Sequence, residues 1–112
     1  MDWTAKRCVP CEGGIPRLDR ARVDEWLRTV DGWSHRDDRL HKRFRFRDFL
    51  AAMRFVNAMA ELAESEGHHP DFAVQYATVD VTLWTHAVGG LSQNDFILAA
   101  KIDALPKDLA SR

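Results

Sequence analysis

Two runs of alternating hydrophobicity, separated by one long helical stripe, constrain this chain more than any other feature. Leu40, Lys42, Phe44 and Phe46 fall on one side of an extended segment, with His41, Arg43 and Arg45 on the other. Further along, Phe72, Val74 and Tyr76 alternate with Ala73 and Gln75. After a turn expected near Ala77-Thr78, Val79, Val81, Leu83 and Thr85 alternate with Asp80, Thr82, Trp84 and His86. Trp33-Ser34-His35, followed by the turn residues Asp37-Asp38, supplies a short partner for the first run. Between the two hairpins, Phe49, Met53, Val56, Ala60 and Ala63 step by four and three, and Ala52, Phe55, Met59 and Leu62 widen the stripe. Asp48 is placed to cap this helix, which runs to about Glu66. Gly67 ends it, and Pro70 opposes its continuation.

Shorter helical patterns flank this centre. Over Leu18 to Val30, Val23, Trp26, Leu27 and Val30 recur on one face, with Asp19 as N-cap and Gly32 just past the end. Ser92 is a good N-cap for a last helix, and Asp95 three residues on makes a variant of the capping box. Phe96, Ala99, Ala100 and Ile102 or Leu105 form its apolar side. The order α-β-β-α-β-β-α predicts an antiparallel sheet with helices on one face, an α+β fold. Residues 1–17, with Pro10, Gly13, Gly14 and Pro16, read as an irregular arm ahead of a single domain over 18–112.

The whole chain has 112 residues, enough for one domain. A chain this short buries only about two-thirds of its unfolded surface, so oligomerisation is a natural way to bury more. The net charge of −1 gives no argument for nucleic acid or anionic membrane as partner. The strand face of His41, Arg43 and Arg45, with Arg47 beyond it, fits a solvated surface. No apolar run approaches the roughly 20 residues that span a bilayer, and Met1 to Arg7 lacks the apolar stretch of a secretory signal. A cytoplasmic location is therefore expected. Cys8 and Cys11 have the spacing of half a zinc site or a redox pair, but tetrahedral zinc needs four ligands and there is no second cysteine pair.

Chemistry concentrates after residue 63. Glu64, His68-His69-Pro70, Tyr76, His86 and Asp95 follow one another at irregular but specific intervals. His68 and His69 lie just past a helix C-terminus, whose negative dipole end favours imidazolium. If both are extended, they point to opposite sides. Glu64 stands four residues before His68, where it orients that ring if the helix persists. His86 ends a strand beside Gly89-Gly90. Imidazoles with an ordinary pKa near ~6.5 suit proton exchange at neutral pH. Asp95 equally fits a helix first turn, and Tyr76 a half-buried strand position.

Taken together, Glu-x-x-x-His-His-Pro, the following Tyr76, Thr85-His86, Gly89-Gly90-Leu91-Ser92 and Asp95 resemble the signature of the pterin-4a-carbinolamine dehydratase family. Gly32-Trp33, the alternating run from Leu40 to Phe46 and Val79-x-Val-x-Leu83 extend the similarity over roughly residues 18–105. Cys8 to Gly14 resembles the arm of many bacterial members. Phe72 stands where some members carry Trp, and Ala77 where Asn is common; both touch the pocket edge or turn.

The resemblance implies a four-stranded antiparallel sheet with three helices on one side. It implies dehydration of a 4a-hydroxytetrahydropterin, the product of aromatic amino-acid hydroxylases, to quinonoid dihydropterin in tetrahydrobiopterin recycling. It implies His68 and His86 as an acid–base pair and His69 as a substrate-binding or auxiliary group. Glu64 would orient the site, Phe72 would flank the pterin, Asp95 would support His86 or the helix start, and Trp33 would line the pocket or the core. Neither a cofactor nor a metal is implied, since the chemistry moves protons. Homodimers or homotetramers built by pairing sheets are implied as well. The competing readings are a dimerisation or coactivator module, as in animal relatives that partner a homeodomain transcription factor, and a homologue acting on a different, molybdopterin-related pterin.

Overall fold

A computed structural model describes residues 2–10 and 14–111; Cys11, and with it the Cys-x-x-Cys reading, lies outside them. Among the described residues are three α-helices, α1 (Arg20–Leu27), α2 (Phe49–Glu66) and α3 (Gln93–Ala104). Four strands accompany them, β1 (Ser34–Arg36), β2 (Arg39–Arg45), β3 (Asp71–Gln75) and β4 (Thr78–Leu83). The strands form one antiparallel sheet in the order β1-β2-β4-β3, the α+β arrangement the alternation predicts.

The capping residues behave as local physics requires. Asp19, Asp48 and Ser92 each accept a backbone N–H at the start of α1, α2 and α3. Gly67 closes α2 at φ 67°, a left-handed conformation that costs glycine little. Asp37 and Asp38, also at positive φ, join β1 to β2 by a two-residue turn of the kind that matches strand twist. Two expectations shift. The helix over Leu18 to Val30 is only eight residues long, Arg20–Leu27, and the last residues turn instead. Tyr76 leaves the strand: with φ 54° and 75% exposure it forms the β3–β4 turn with Ala77, one residue earlier than the alternation indicates.

The core follows the strand period. Val79, Val81 and Leu83 of β4 are fully buried, whereas Thr78, Asp80 and Thr82 face the open side of the sheet half-buried. From α2, Ala51, Ala52, Phe55, Val56, Met59 and Ala63 face inward; Ala60 and Phe49, placed on the same stripe by spacing, are exposed. Phe55 packs between Phe44 and Phe46, with centroids 4.9 and 5.0 Å away. Each such buried apolar side chain contributes about 1.5–3 kcal/mol.

Among its described residues the N-terminal arm forms a 3-10 turn at Trp3–Ala5, and it is firmly anchored. Trp3 is 2% exposed, packs edge-on to Trp26 and tilted on Phe96, and donates its indole N–H to Thr29. Further along, Asn94 clamps Val9 by accepting its N–H and donating to its carbonyl. Glu66, at the end of α2, accepts the Cys8 N–H and pairs with Lys101 and Arg7. Burial, with Glu66 alongside, pushes the Cys8 thiol up to about 12, so it stays protonated and poorly nucleophilic. The arm is remote from the histidine motif in sequence but is tied to residues one and two positions from Asp95 and His68.

Acid should loosen this anchor. Burial opposes ionisation of Glu66, but hydrogen bonds from Lys101 and the Cys8 N–H, and the Lys101 and Arg7 charges, outweigh it and hold the carboxyl below its ordinary 4.5. A folded-state pKa lower than the unfolded one gives stability that is complete above about pH 4.5 and is lost as pH falls through the folded value. Thermal melts between pH 7 and pH 3 should therefore fall more steeply below pH 4.5 for the wild type than for Glu66→Gln. Parallel curves would remove Glu66 from the acid response.

Candidate active site

The site is assembled where three element ends meet: the C-terminus of α2, the end of β4 and the first turn of α3. At its centre is Asp95, 0% exposed. One carboxylate oxygen, Oδ1, accepts from His68 Nε2 at 2.6 Å. The other, Oδ2, accepts from the Thr85 hydroxyl at 2.8 Å and from the Ser92 backbone N–H at 3.0 Å, the second half of the capping box. Thr85 spends its only proton on Asp95, so the Ser92 hydroxyl, 2.7 Å away, donates to Thr85. A buried carboxylate is stabilised by being saturated in this way. Its negative charge also sits in the first turn of α3, where the helix dipole favours it.

His68 and His69 diverge, as extended neighbours must. His68 is 5% exposed and turned inward. The His69 side chain is 60% exposed and donates Nε2–H to Glu64 at 2.7 Å. One pairing thus differs from that expected, and one of two alternatives for Asp95 is selected. Glu64 holds His69 and not His68, because Gly67 breaks the helix between them and cancels the i, i+4 relation. Asp95 holds the helix start and His68, not His86. Each imidazole has one nitrogen fixed by a carboxylate, which sets its tautomer and leaves Nδ1 for other chemistry.

His86 is not in the strand but opens a 3-10 turn, His86–Val88, that Gly89 closes at φ 64°. Its ring is exposed and stacks on Trp84 with centroids 3.8 Å apart and planes 25° apart. The residue before it, Thr85, pairs with Gly90 and joins the Asp95 network, so the backbone at His86 is fixed to the same buried carboxylate as His68. Phe72 sits on edge strand β3, 45% exposed, opposite Val81. Trp33 does not join the cluster. It is 5% exposed in the core, edge-on to Phe44, and its indole N–H donates to Asp103. Sequence reasoning missed Thr85, Ser92, Trp84 and Asp71 as site residues. Thr85 and Ser92 stand in the motifs that carry the family resemblance, whereas nearness in sequence to His86 and Pro70 was the signal for Trp84 and Asp71. Among the described residues, no three His, Cys, Asp or Glu side chains converge as metal ligands, and no helix is long and apolar enough to cross a membrane.

Residues 16–105 match the family model for pterin 4 alpha carbinolamine dehydratase. A relative from Halorhodospira halophila is 47% identical over 107 residues, covering 94% of this chain and 98% of its own; its name, pterin-4-alpha-carbinolamine dehydratase, is itself provisional. A solved structure described as a transcriptional coactivator/pterin dehydratase from Brucella melitensis superposes with a TM-score of 0.77 at 37% identity, covering 80% of this chain and 97% of that one. A pterin dehydratase-like protein described as a RuBisCO assembly factor of the alpha-carboxysome gives 0.55 at 29% identity, covering 64% and 83%. With the family model spanning most of its length and a relative near half identical over nearly the whole of it, the chain belongs to the pterin 4 alpha carbinolamine dehydratase family.

Proposed function

We propose that this protein removes water from a 4a-hydroxytetrahydropterin to give quinonoid dihydropterin, by histidine acid–base catalysis. The observation that supports this most is the buried Asp95, which holds the His68 ring on one side and, through Thr85, the backbone of His86 on the other. Dehydration breaks the bond between carbon 4a and its hydroxyl. The leaving oxygen takes a proton, ring nitrogen 5 gives one up, and no electrons change hands. Two imidazoles fixed to one rigid anchor suit that pair of transfers, since general acid–base catalysis depends on positioned groups with pKa values near neutrality. His68 and His86 are assigned as the pair. His69, held by Glu64 at the rim, binds substrate or assists. Phe72 flanks the pterin ring.

The names of the two similar structures also carry coactivator and assembly-factor roles. A pure binding module would have no need of two carboxylate–imidazole couples beside a third histidine, so the enzymatic reading is preferred. The cellular setting proposed is cytoplasmic recycling of tetrahydrobiopterin after an aromatic amino-acid hydroxylase. A homo-oligomer fits as well, because β3 is an uncovered edge strand bearing the exposed Phe72.

The test is the initial rate of 4a-hydroxytetrahydropterin decay with and without the protein, weighed by light scattering in the same buffer. Acceleration is expected, unchanged by a chelator, from a particle of at least two chains. Decay at the uncatalysed rate would remove the dehydratase reading. Activity lost to chelator and restored by zinc would remove the metal-free mechanism, and a clean monomer mass the oligomer.

A further inference from the structure

His68 and His69 each have a carboxylate partner, but His86 does not. Among the described residues no group hydrogen-bonds to its ring, although the ring is exposed and free rotation would cost little. What it has is the face of Trp84, 3.8 Å away. Trp84 is itself held from two further directions. The Arg39 guanidinium lies over the ring at 4.1 Å, a cation–π distance, and the indole N–H donates to Asp71 at 3.1 Å. Arg39 and Asp71 open β2 and β3, the strands on either side of β4. Asp71 also follows His69-Pro70 directly in the chain.

We infer that Trp84 is the positioning residue for His86: the indole, clamped by Arg39 and Asp71, sets the plane of the imidazole and fixes it relative to the His68-His69 segment. The inference rests on His86 being a catalytic group and adds the part that orients it. An aromatic face restrains a ring without occupying either nitrogen, so both remain free to exchange protons. The carboxylates on His68 and His69 each occupy one nitrogen. Flat stacking on an indole face favours one orientation of the imidazole plane. A displacement of about 1 Å in a reacting group can cost on the order of a hundredfold in rate.

The experiment compares Trp84→Ala, Trp84→Phe and His86→Ala by steady-state kinetics on the dehydration, with the His86 ring protons followed by NMR and assigned from the His86→Ala difference. Expected are a kcat about ten- to a hundredfold lower for Trp84→Ala with KM little changed, and recovery of most of kcat in Trp84→Phe, which keeps an aromatic face. In the wild type the His86 ring protons should be shifted upfield by the indole ring current. Unshifted His86 protons in the wild type overturn the inference without either Trp84 variant. So does a Trp84→Ala loss confined to KM, which would make the indole a substrate wall. If His86→Ala keeps the wild-type rate, the catalytic reading of His86 fails instead. If His86→Ala is inactive and Trp84→Ala is not, only the positioning inference fails.

Discussion

His86→Ala is expected to slow dehydration by roughly a hundredfold or more while leaving the fold intact. Removing one general acid or base typically costs that much. The stability side follows from the surroundings. The ring is exposed, its contact is one face of Trp84, and no hydrogen bond from the described residues is lost with it. A change of no more than about 1 kcal/mol is therefore expected. Thr85, which carries the local structure through Gly90 and Asp95, stays in place. Initial rates and a thermal melt on the same sample check this. A normal rate with an unchanged melt would take His86 out of the mechanism, and a collapsed melt would make it a structural residue. The companion variant His68→Ala/His86→Ala should retain little rate above the uncatalysed reaction, with losses that need not add.

Asp95→Ala should do the opposite, damaging stability as much as activity. It removes a fully buried carboxylate and leaves the His68 Nε2–H, the Thr85 hydroxyl proton and the Ser92 N–H without their acceptor. Three buried donors left without an acceptor cost about 1 kcal/mol or more each, and a total of about 3 kcal/mol or more lowers the melting temperature of a domain of this size by roughly 10 °C or more. Asp95→Asn separates the two roles. Its amide oxygen can still accept from Ser92, so α3 keeps its cap and more of the melting temperature is retained. Its amide nitrogen cannot accept from His68, so the imidazole tautomer changes and the rate falls, as when a triad aspartate is replaced by asparagine. A melting temperature for Asp95→Ala within a few degrees of the wild type would mean that the buried network contributes little to the fold.

These two cases mark how much of the molecule was legible before its structure. Asp19, Asp48 and Ser92 cap helices where their spacing places them, Gly67 ends α2, and the alternating runs become β2, β3 and β4. All of this is local. A cap reads the N–H groups two or three residues ahead, and strand alternation reads the next residue but one, so both are written in short windows of sequence. His68, His69, His86, Glu64 and Asp95 lie at or near the ends of α2, β4 and α3.

Which of them touch was not legible. Glu64 finds His69 because one left-handed glycine reverses the chain after α2. Asp95 finds His68 across 27 residues, and Trp84, not Asp95, takes His86. The Trp33 side chain turns into the core, and Trp3, Cys8 and Val9 of the arm pack against α3 or the end of α2. The sequence by itself determined the elements, their order and the chemical types gathered at the site, because those follow from periodicity and capping. Only the tertiary structure decided which carboxylate or ring restrains each imidazole. Pairing at such separations depends on where helix and strand ends are brought together, and packing of the whole core sets that.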